Sequence, residues 1–510
     1  MSRMTPIAVG LALPLTFLSH AALADLTPSQ VWSDWQSYMA GVGYQIEATE
    51  TERGGDLTVS DVTLGFTAPE GAGSMEMSLG AIEFNQNGDG TVAIVLPDTM
   101  PIKITGEGRP GDAQTFDMTV TLTQAGHSLI ASGSPQELTY VYDADSMTAV
   151  LDQVMMNGQG VENGTAKMNL AGTDINTTTT MTIGDLRGYD QSSTVASVSY
   201  SFEVETPEDG GQKADISGAI SGLTVTGTGT LPTDMPEMTD MSAMLGAGFD
   251  ISGNIAYQSG SSNFDVENPR DGSFKMQTSS QGGSLDVAVG SDGIAYGGGQ
   301  QDLKMTVNVV GMPFPIEVAM ADSAFNLAMP ATKSDVSQDF AFGLTMGNFT
   351  MSDLLWGIFD AAGQLPRDPA TVKLDLTGKA KVLVDFLNPE AAAGMPGAPG
   401  ELEALNLNTL LVDAVGAKLE GSGQITMDGT GPSMVPGMGS PVGVLNFALA
   451  GGNGLIDKLV AMGFVPQEQA MGARMMMGMF AVPGDGPDTL KSKIEFTQDG
   501  QILANGQRIR

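Results

Sequence analysis

The chain has 510 residues and a net charge of −37, with 59 acidic against 22 basic side chains. Phosphate backbones would be repelled, so nucleic acid is excluded as a partner, and docking on anionic lipid heads is disfavoured. Cysteine is absent, which removes disulfides, thiol nucleophiles, thiolate metal sites and a lipidated cysteine.

At the start, Ile7 to Leu18 form an apolar run too short to span a bilayer, and Ala22-Leu23-Ala24 offers small residues at both ends of a cleavage site. Residues 1–24 are expected to be a signal peptide cut before Asp25, the other reading being an anchoring helix. Cleavage implies export and, in a Gram-negative cell, a periplasmic protein.

Thr27-Pro28-Ser29-Gln30 then fits a capping box, with Thr27 as cap and Pro28 at the first helical position. Val31, Trp32, Trp35, Tyr38 and Met39 make one apolar face, and Gly41 to Gly43 end the helix. From Tyr44 the period changes to two. Val62, Leu64 and Phe66 alternate with polar residues, as do Phe116, Met118, Val120 and Leu122, and later Val198, Tyr200, Phe202 and Val204. Half-buried antiparallel strands give that pattern. Asn87-Gly88, Asp89-Gly90, Asp292-Gly293, Asp499-Gly500, Asn505-Gly506 and similar pairs punctuate it, because both residues tolerate the positive φ of tight hairpins. A long meander is expected, not βα units.

Helical spacing recurs at 146–156 (Met147, Val150, Leu151, Val154), at 234–245, from Leu455 to Met462 and from Pro466 to Phe480. Ser352 to Gly363 reads as a further helix, 352–362, with Ser352 as cap and Leu354, Leu355, Ile358 and Phe359 on one face. A rigid Pro366-Arg367-Asp368-Pro369 corner follows. Val372, Leu374 and Leu376, then Val382, Val384 and Phe386, are expected to form a hairpin. Asn388 to Gly400 is the clearest linker and Leu231 to Pro236 a second candidate. They divide the mature chain into 25–230, 231–387 and 388–510.

The residues nominate no catalytic, cofactor-binding or metal-ligating side chain. His127, the only histidine after the leader, stands in a turn before a strand, where a surface or capping role is expected over a Ser-His-Asp triad. Gly106 to Gly111 matches G-x-G-x-x-G but leads into an alternating run, so it reads as a hairpin and not a dinucleotide site. Asn85, Asn87 and Asp89 resemble the front of a calcium loop, but Leu96 at the twelfth position cannot supply the carboxylate. The 33 methionines, with Met471, Met475, Met476, Met477 and Met479 clustered, fit either ordinary core filling or a lining that accepts lipid chains or another protein.

Leu355-Trp356-Gly357-Ile358-Phe359-Asp360 and Leu365-Pro366-Arg367-Asp368-Pro369-Ala370 resemble a family of alphaproteobacterial envelope proteins, the domain of unknown function 2125. The opening Val31-Trp32-Ser33-Asp34-Trp35 and the ending around Ala417-Lys418-Leu419-Glu420-Gly421, Leu455 to Val460 and Leu503 to Gly506 share the likeness. It implies an envelope location and carries no activity and no catalytic residues. The ending is also similar, more weakly, to large β-rich envelope proteins associated with lipid traffic, at the level of fold alone.

The expected fold is mainly β: an elongated antiparallel trough or sandwich with a few short amphipathic helices closing its ends. The expected function is a non-enzymatic envelope protein whose partner is a hydrophobic small molecule or lipid, with no cofactor and no transmembrane segment after cleavage. The alternatives are a structural or adhesive acidic protein dependent on cations, and a hydrolase built on two carboxylates.

Overall fold

The computed structural model describes residues 25–67, 73–107, 115–157, 159–160, 165–206, 211–233, 240–268, 272–387, 400–429 and 439–509. The leader and its cleavage site lie outside these residues, as do 388–399 of the linker and 234–239 of the second helical segment.

The described strands form one antiparallel sheet. β1 (Gln45–Arg53) pairs with β2 (Asp56–Thr67), which then faces two lines of short strands at once. Its first half pairs with β4 (Ile82–Gln86), leading through β5 (Val92–Val95) to β8 (Ser128–Ser134). Its second half pairs with β3 (Ser74–Leu79), leading through β6 (Thr99–Glu107) to β7 (Thr115–Ala125). Both lines rejoin on β9 (Glu137–Met156), which carries the stub β10 (Gln159–Gly160). Three long strands follow: β11 (Thr165–Ile183), β12 (Leu186–Thr206) and β13 (Gln212–Pro232).

The split then recurs. β13 pairs with both β14 (Asp250–Tyr257) and β15 (Ser259–Glu267), which continue into β17 (Gly283–Gly290) and β16 (Phe274–Ser280) and rejoin on β18 (Gly293–Val309). From there the strands run in single file: β19 (Ile316–Met329), β20 (Gln338–Met351), β21 (Ala370–Val382), β22 (Gly400–Ala414), β23 (Ala417–Gly429), β24 (Ser440–Ala450), β26 (Thr489–Phe496), β27 (Ile502–Ala504) and β28 (Gln507–Arg508), with β25 (Val482–Pro483) on the end of β26. At about 4.8 Å per neighbour, the path from β1 to β28 is roughly 100 Å long. Pairing continues from β13 to β14 and from β21 to β22, across both candidate linkers.

The two splits lie on one line, and single residues with left-handed backbone mark the same line in the unsplit strands. They are Asp61 (φ 54°), Asp174 (49°), Gly222 (60°), Asp302 (48°) and Asn348 (52°). Glycine, and to a lesser degree Asp and Asn, tolerate that conformation. Each interrupts the ladder, as where Ile175 faces Val195 but the next described pair is Thr173 with Ser197. The inserted residue also switches the alternation. In β2, Leu57 and Val59 precede Asp61, and Val62, Leu64 and Phe66 follow it. In β12 the apolar set passes from Tyr189 and Val195 to Val198, Tyr200, Phe202 and Val204. Without the insertion the second set would face the other way. With it, both walls of the creased sheet keep one apolar face.

α1 (Pro28–Gly41) sits on that face at the N-terminal end. Thr27 Oγ1 accepts from Gln30 N at 3.4 Å and Gln30 Oε1 accepts from Thr27 N at 2.9 Å, the expected capping box. Val31 and Trp32 are buried with Leu57, Val59, Phe84, Ala131 and Leu138. α2 (Met241–Gly246), capped by Asp240 through Ala243 N, buries Met244 and Leu245 with Phe249 against Leu231, Ile251 and Val289 along one rim. α3 (Asp353–Phe359) follows β20 at the other rim. α4 (Gly452–Ala461) and α5 (Gln467–Phe480) follow β24 and are tied by Arg474 Nη2 to Asp457 Oδ1 at 2.5 Å.

As expected, the fold is mainly β: the described strands make one antiparallel sheet, creased along the line of the splits, with a few short helices. Three local expectations are corrected. Residues 146–156 are the end of β9, not a helix. The reason is a bulge: Leu151 faces Val120 while Gln153 faces Thr119, so inward residues step from 151 to 154 and imitate helical spacing. Residues 372–386 are not a hairpin but one strand followed by an irregular return, in which Phe386 N donates to Ala331 O at 3.0 Å. In α3, Ser352 makes no side-chain cap, and Leu354 and Ile358 are exposed. Trp356 is the buried residue, against Phe359 and under Arg367.

Candidate functional site

Residues directly opposite in an antiparallel ladder share a face, so the register reads out both surfaces. On the inner face of one wall, Met168, Phe202, Ile216, Phe264, Met276 and Val307 form a row across neighbouring strands. One residue away, on the outer face, the row is Lys167, Glu203, Asp215, Asp265 and Lys275, with ion pairs Lys167–Glu203 at 3.0 Å and Lys275–Asp265 at 2.5 Å. On the other wall, Val287, Tyr296, Leu327, Phe342, Leu376 and Leu407 continue the inner face.

From β13 to β27, alternation puts the charged residues of the described strands on the outer face except at the bulge residues Asp302, Glu403 and Asp428. Glu403 meets the outer Lys381 at 2.6 Å, and Asp428 accepts from the outer Thr426 Oγ1 at 2.5 Å. The inner charges of the described strands stand at the N-terminal end, next to α1. Glu50 accepts from Trp32 Nε1 at 2.6 Å, Glu52 from Ser29 Oγ at 2.6 Å, and Arg187 meets Asp34 at 2.6 Å.

Cover over the inner face is uneven. Beneath α1, Val59, Phe84 and Val92 have no exposed surface. Farther along, Phe325 and Tyr296 are each 45% exposed, and Leu327 and Phe342 are 41% and 40% exposed. Large apolar side chains in contiguous exposure mark a binding surface more often than a resting one. A hollow of about 520 Å³ lies here, and its long side chains, Ile255, Tyr257, Leu285, Phe325, Leu344 and Met346, all belong to the inner face. A larger depression of about 670 Å³ mixes residues of both faces, such as Tyr296 and Leu327 with Asp190 and Asp286. In the smaller hollow the outer-face residues are short, Ser284, Gly299, Ala324 and Thr345, so its bulk is supplied by the inner face and it is the better candidate.

Glycines keep this surface smooth. Phe116 stands opposite Gly106, Tyr200 opposite Gly218, Tyr189 opposite Gly229, Phe340 opposite Gly378 and Phe447 opposite Gly421. In each pair a Cβ on the glycine would run into the ring. The ring therefore lies over the neighbouring strand instead of standing into the trough, the cross-strand arrangement by which aromatics cover sheet glycines.

The sequence motifs fall elsewhere. His127 is nearly buried at the crease, with Nε2 3.0 Å from Leu96 O and Nδ1 3.7 Å from Asp98. Asp89 takes Thr91 Oγ1 and N, which hold its carboxyl below the ordinary value, in a turn between β4 and β5. Gly106 is the penultimate residue of β6 in its ladder with β7, the expected hairpin, and residues 108–111 lie outside the described set. Some methionines fill the core, as Met100 and Met244 do. Met168, Met276 and Met346 line the inner face, while Met471, Met475, Met476 and Met479 lie exposed on α5. Sequence reasoning missed the crease. Its signal was present: an Asp, Asn or Gly standing where apolar alternation changes phase.

No family model matches the chain, and no curated protein matches its sequence. Among the described residues no helix is long and apolar enough to cross a membrane.

Proposed function

We propose that this protein is a non-enzymatic component of the bacterial envelope, exported to the periplasm, that holds or passes a lipid-like apolar ligand along its inner face. One observation carries the reading: among the described strands beyond β13, ladder alternation puts no charge on the inner face outside the crease and the bulges, and that face is only partly covered, although the protein as a whole is strongly acidic. Keeping ions off an exposed surface favours apolar contact there, since burying an unpaired charge under a ligand is costly. The likeness of the Leu355–Asp360 and Leu365–Ala370 stretches to alphaproteobacterial envelope proteins supports the location, as does the signal-like leader.

The test is binding of a fluorescent hydrophobic probe, N-phenyl-1-naphthylamine, together with mass spectrometry of small molecules that co-purify. Both should be positive for the natural chain. Leu327→Asp with Phe342→Asp places two charges on exposed positions of the strip and should abolish probe binding while the circular dichroism stays that of a β-protein. A natural chain that neither binds the probe nor carries lipid would remove this reading.

A further inference from the structure

The inner face is uncharged beyond the α1 end, yet it is not wholly apolar. Hydroxyl pairs stand near the crease on neighbouring strands from β11 to β16. Thr177 Oγ1 lies 2.9 Å from Ser193 Oγ, Tyr200 Oη 2.6 Å from Ser262 Oγ, and Tyr257 Oη 2.9 Å from Ser280 Oγ. Ladder register puts all six residues on the inner face. Ser193 and Ser280 are buried and the remaining four are partly buried. The last pair joins the two walls, Tyr257 from one and Ser280 from the other.

Two facing hydroxyls consume one O–H between them, so each pair retains a second O–H to donate outward. A row of such groups on an apolar floor suits an uncharged acceptor, an ester carbonyl or an alcohol. It does not suit a carboxylate or phosphate, which needs a cation when taken out of water. The inner strand positions beyond β12 hold no Lys or Arg to supply one.

Resting on the carrier reading above, we infer that this seam selects neutral, ester- or hydroxyl-bearing lipids, of the acylglycerol kind, over free fatty acids and anionic phospholipids. The experiment compares two ligands with the same C18 chain, 1-oleoylglycerol and oleate, as displacers of N-phenyl-1-naphthylamine at pH 9, where oleate is ionised. Oleoylglycerol should displace the probe at a concentration about tenfold or more below that of oleate. The double variant Tyr200→Phe/Tyr257→Phe keeps both rings. It should weaken oleoylglycerol about three- to tenfold more than it weakens the probe itself, whose affinity is titrated in the same variant. Oleate displacing as well as oleoylglycerol, or a double variant that binds oleoylglycerol like the natural chain, would overturn the seam while leaving the carrier intact. Failure of the probe itself to bind would instead overturn the carrier.

Discussion

Arg187, near the start of β12, places Nη2 2.6 Å from Asp34 Oδ1 in α1, with 6% and 7% of the two side chains exposed. Asp34 Oδ2 accepts from Tyr140 Oη at 3.1 Å, and the guanidinium lies over the Tyr38 ring. This buried group fastens the helix to the sheet. Breaking a buried pair from one side strands a charge, at a cost of about 3–5 kcal/mol. Arg187→Met should therefore lower the unfolding free energy by about that much in urea titrations. The double variant Arg187→Met/Asp34→Leu should recover part of the loss, because neither charge is left alone.

Tyr140 in the same cluster titrates well above the ordinary tyrosine value, because burial and then the Asp34 charge disfavour the phenolate. Its folded value is raised, so its contribution is whole below about pH 10, where the unfolded phenol stays protonated. Above that pH the unfolded state loses a proton the folded state keeps, and stability falls. Urea midpoints measured from pH 8 to pH 11 should drop on the alkaline side, and Tyr140→Phe should flatten that limb.

Asp302 holds φ at 48° in the middle of β18. A β-branched residue there meets the steric penalty of left-handed backbone, about 1–2 kcal/mol, whereas glycine does not. Asp302→Val should cost that amount in equilibrium unfolding and Asp302→Gly clearly less. Equal losses for the two would mean that the Asp side chain, not the backbone, matters.

Much of the architecture could be read from alternation and turn chemistry: Thr27 and Gln30 as a cap, Val62-Leu64-Phe66 as a strand, Asn505-Gly506 as a turn. What failed, failed where periodicity changes. The bulge in β9 made Leu151 and Val154 look helical, because an inserted residue converts a step of two into a step of three. At α3 the apolar count favoured Leu354 and Ile358, but a seven-residue helix at a rim buries only what faces inward, and that is Trp356. The seam of hydroxyls was invisible because Tyr200 and Ser262, or Tyr257 and Ser280, come together only through register.

Gly218 and Tyr200 test the smoothness of the trough. A side chain at 218 would collide with the tyrosine oxygen and with the backbone oxygen of Ser261. Gly218→Val should cost about 1–3 kcal/mol, the usual range for overpacking, and disturb the inner face by pushing the ring off the neighbouring strand. Tyr200→Ala in the Gly218→Val background should relieve the ring's share of the strain and leave the backbone's share, a partial coupling readable in a double-mutant cycle. Additive losses would assign the whole cost of Gly218→Val to the Ser261 backbone.

The corner after α3 gives the acid-side counterpart. Asp360 is 1% exposed and accepts from Gln364 N at 2.8 Å and Leu365 N at 2.9 Å. Burial alone would push its carboxyl up, but those two donors and the Arg367 charge outweigh it and hold the value below the usual range. A depressed folded value means that the contribution is whole above the unfolded value near 4 and is lost as pH falls through the folded one. Acid titration of the natural chain should show stability declining below about pH 4. Asp360→Asn keeps one acceptor but replaces the other with a donor facing backbone N–H groups, so it should be less stable at pH 7 and show a shallower acid limb. Fluorescence of Trp356, packed beside this corner, reports the local loss, and an unchanged acid limb in Asp360→Asn would assign that limb to other carboxylates.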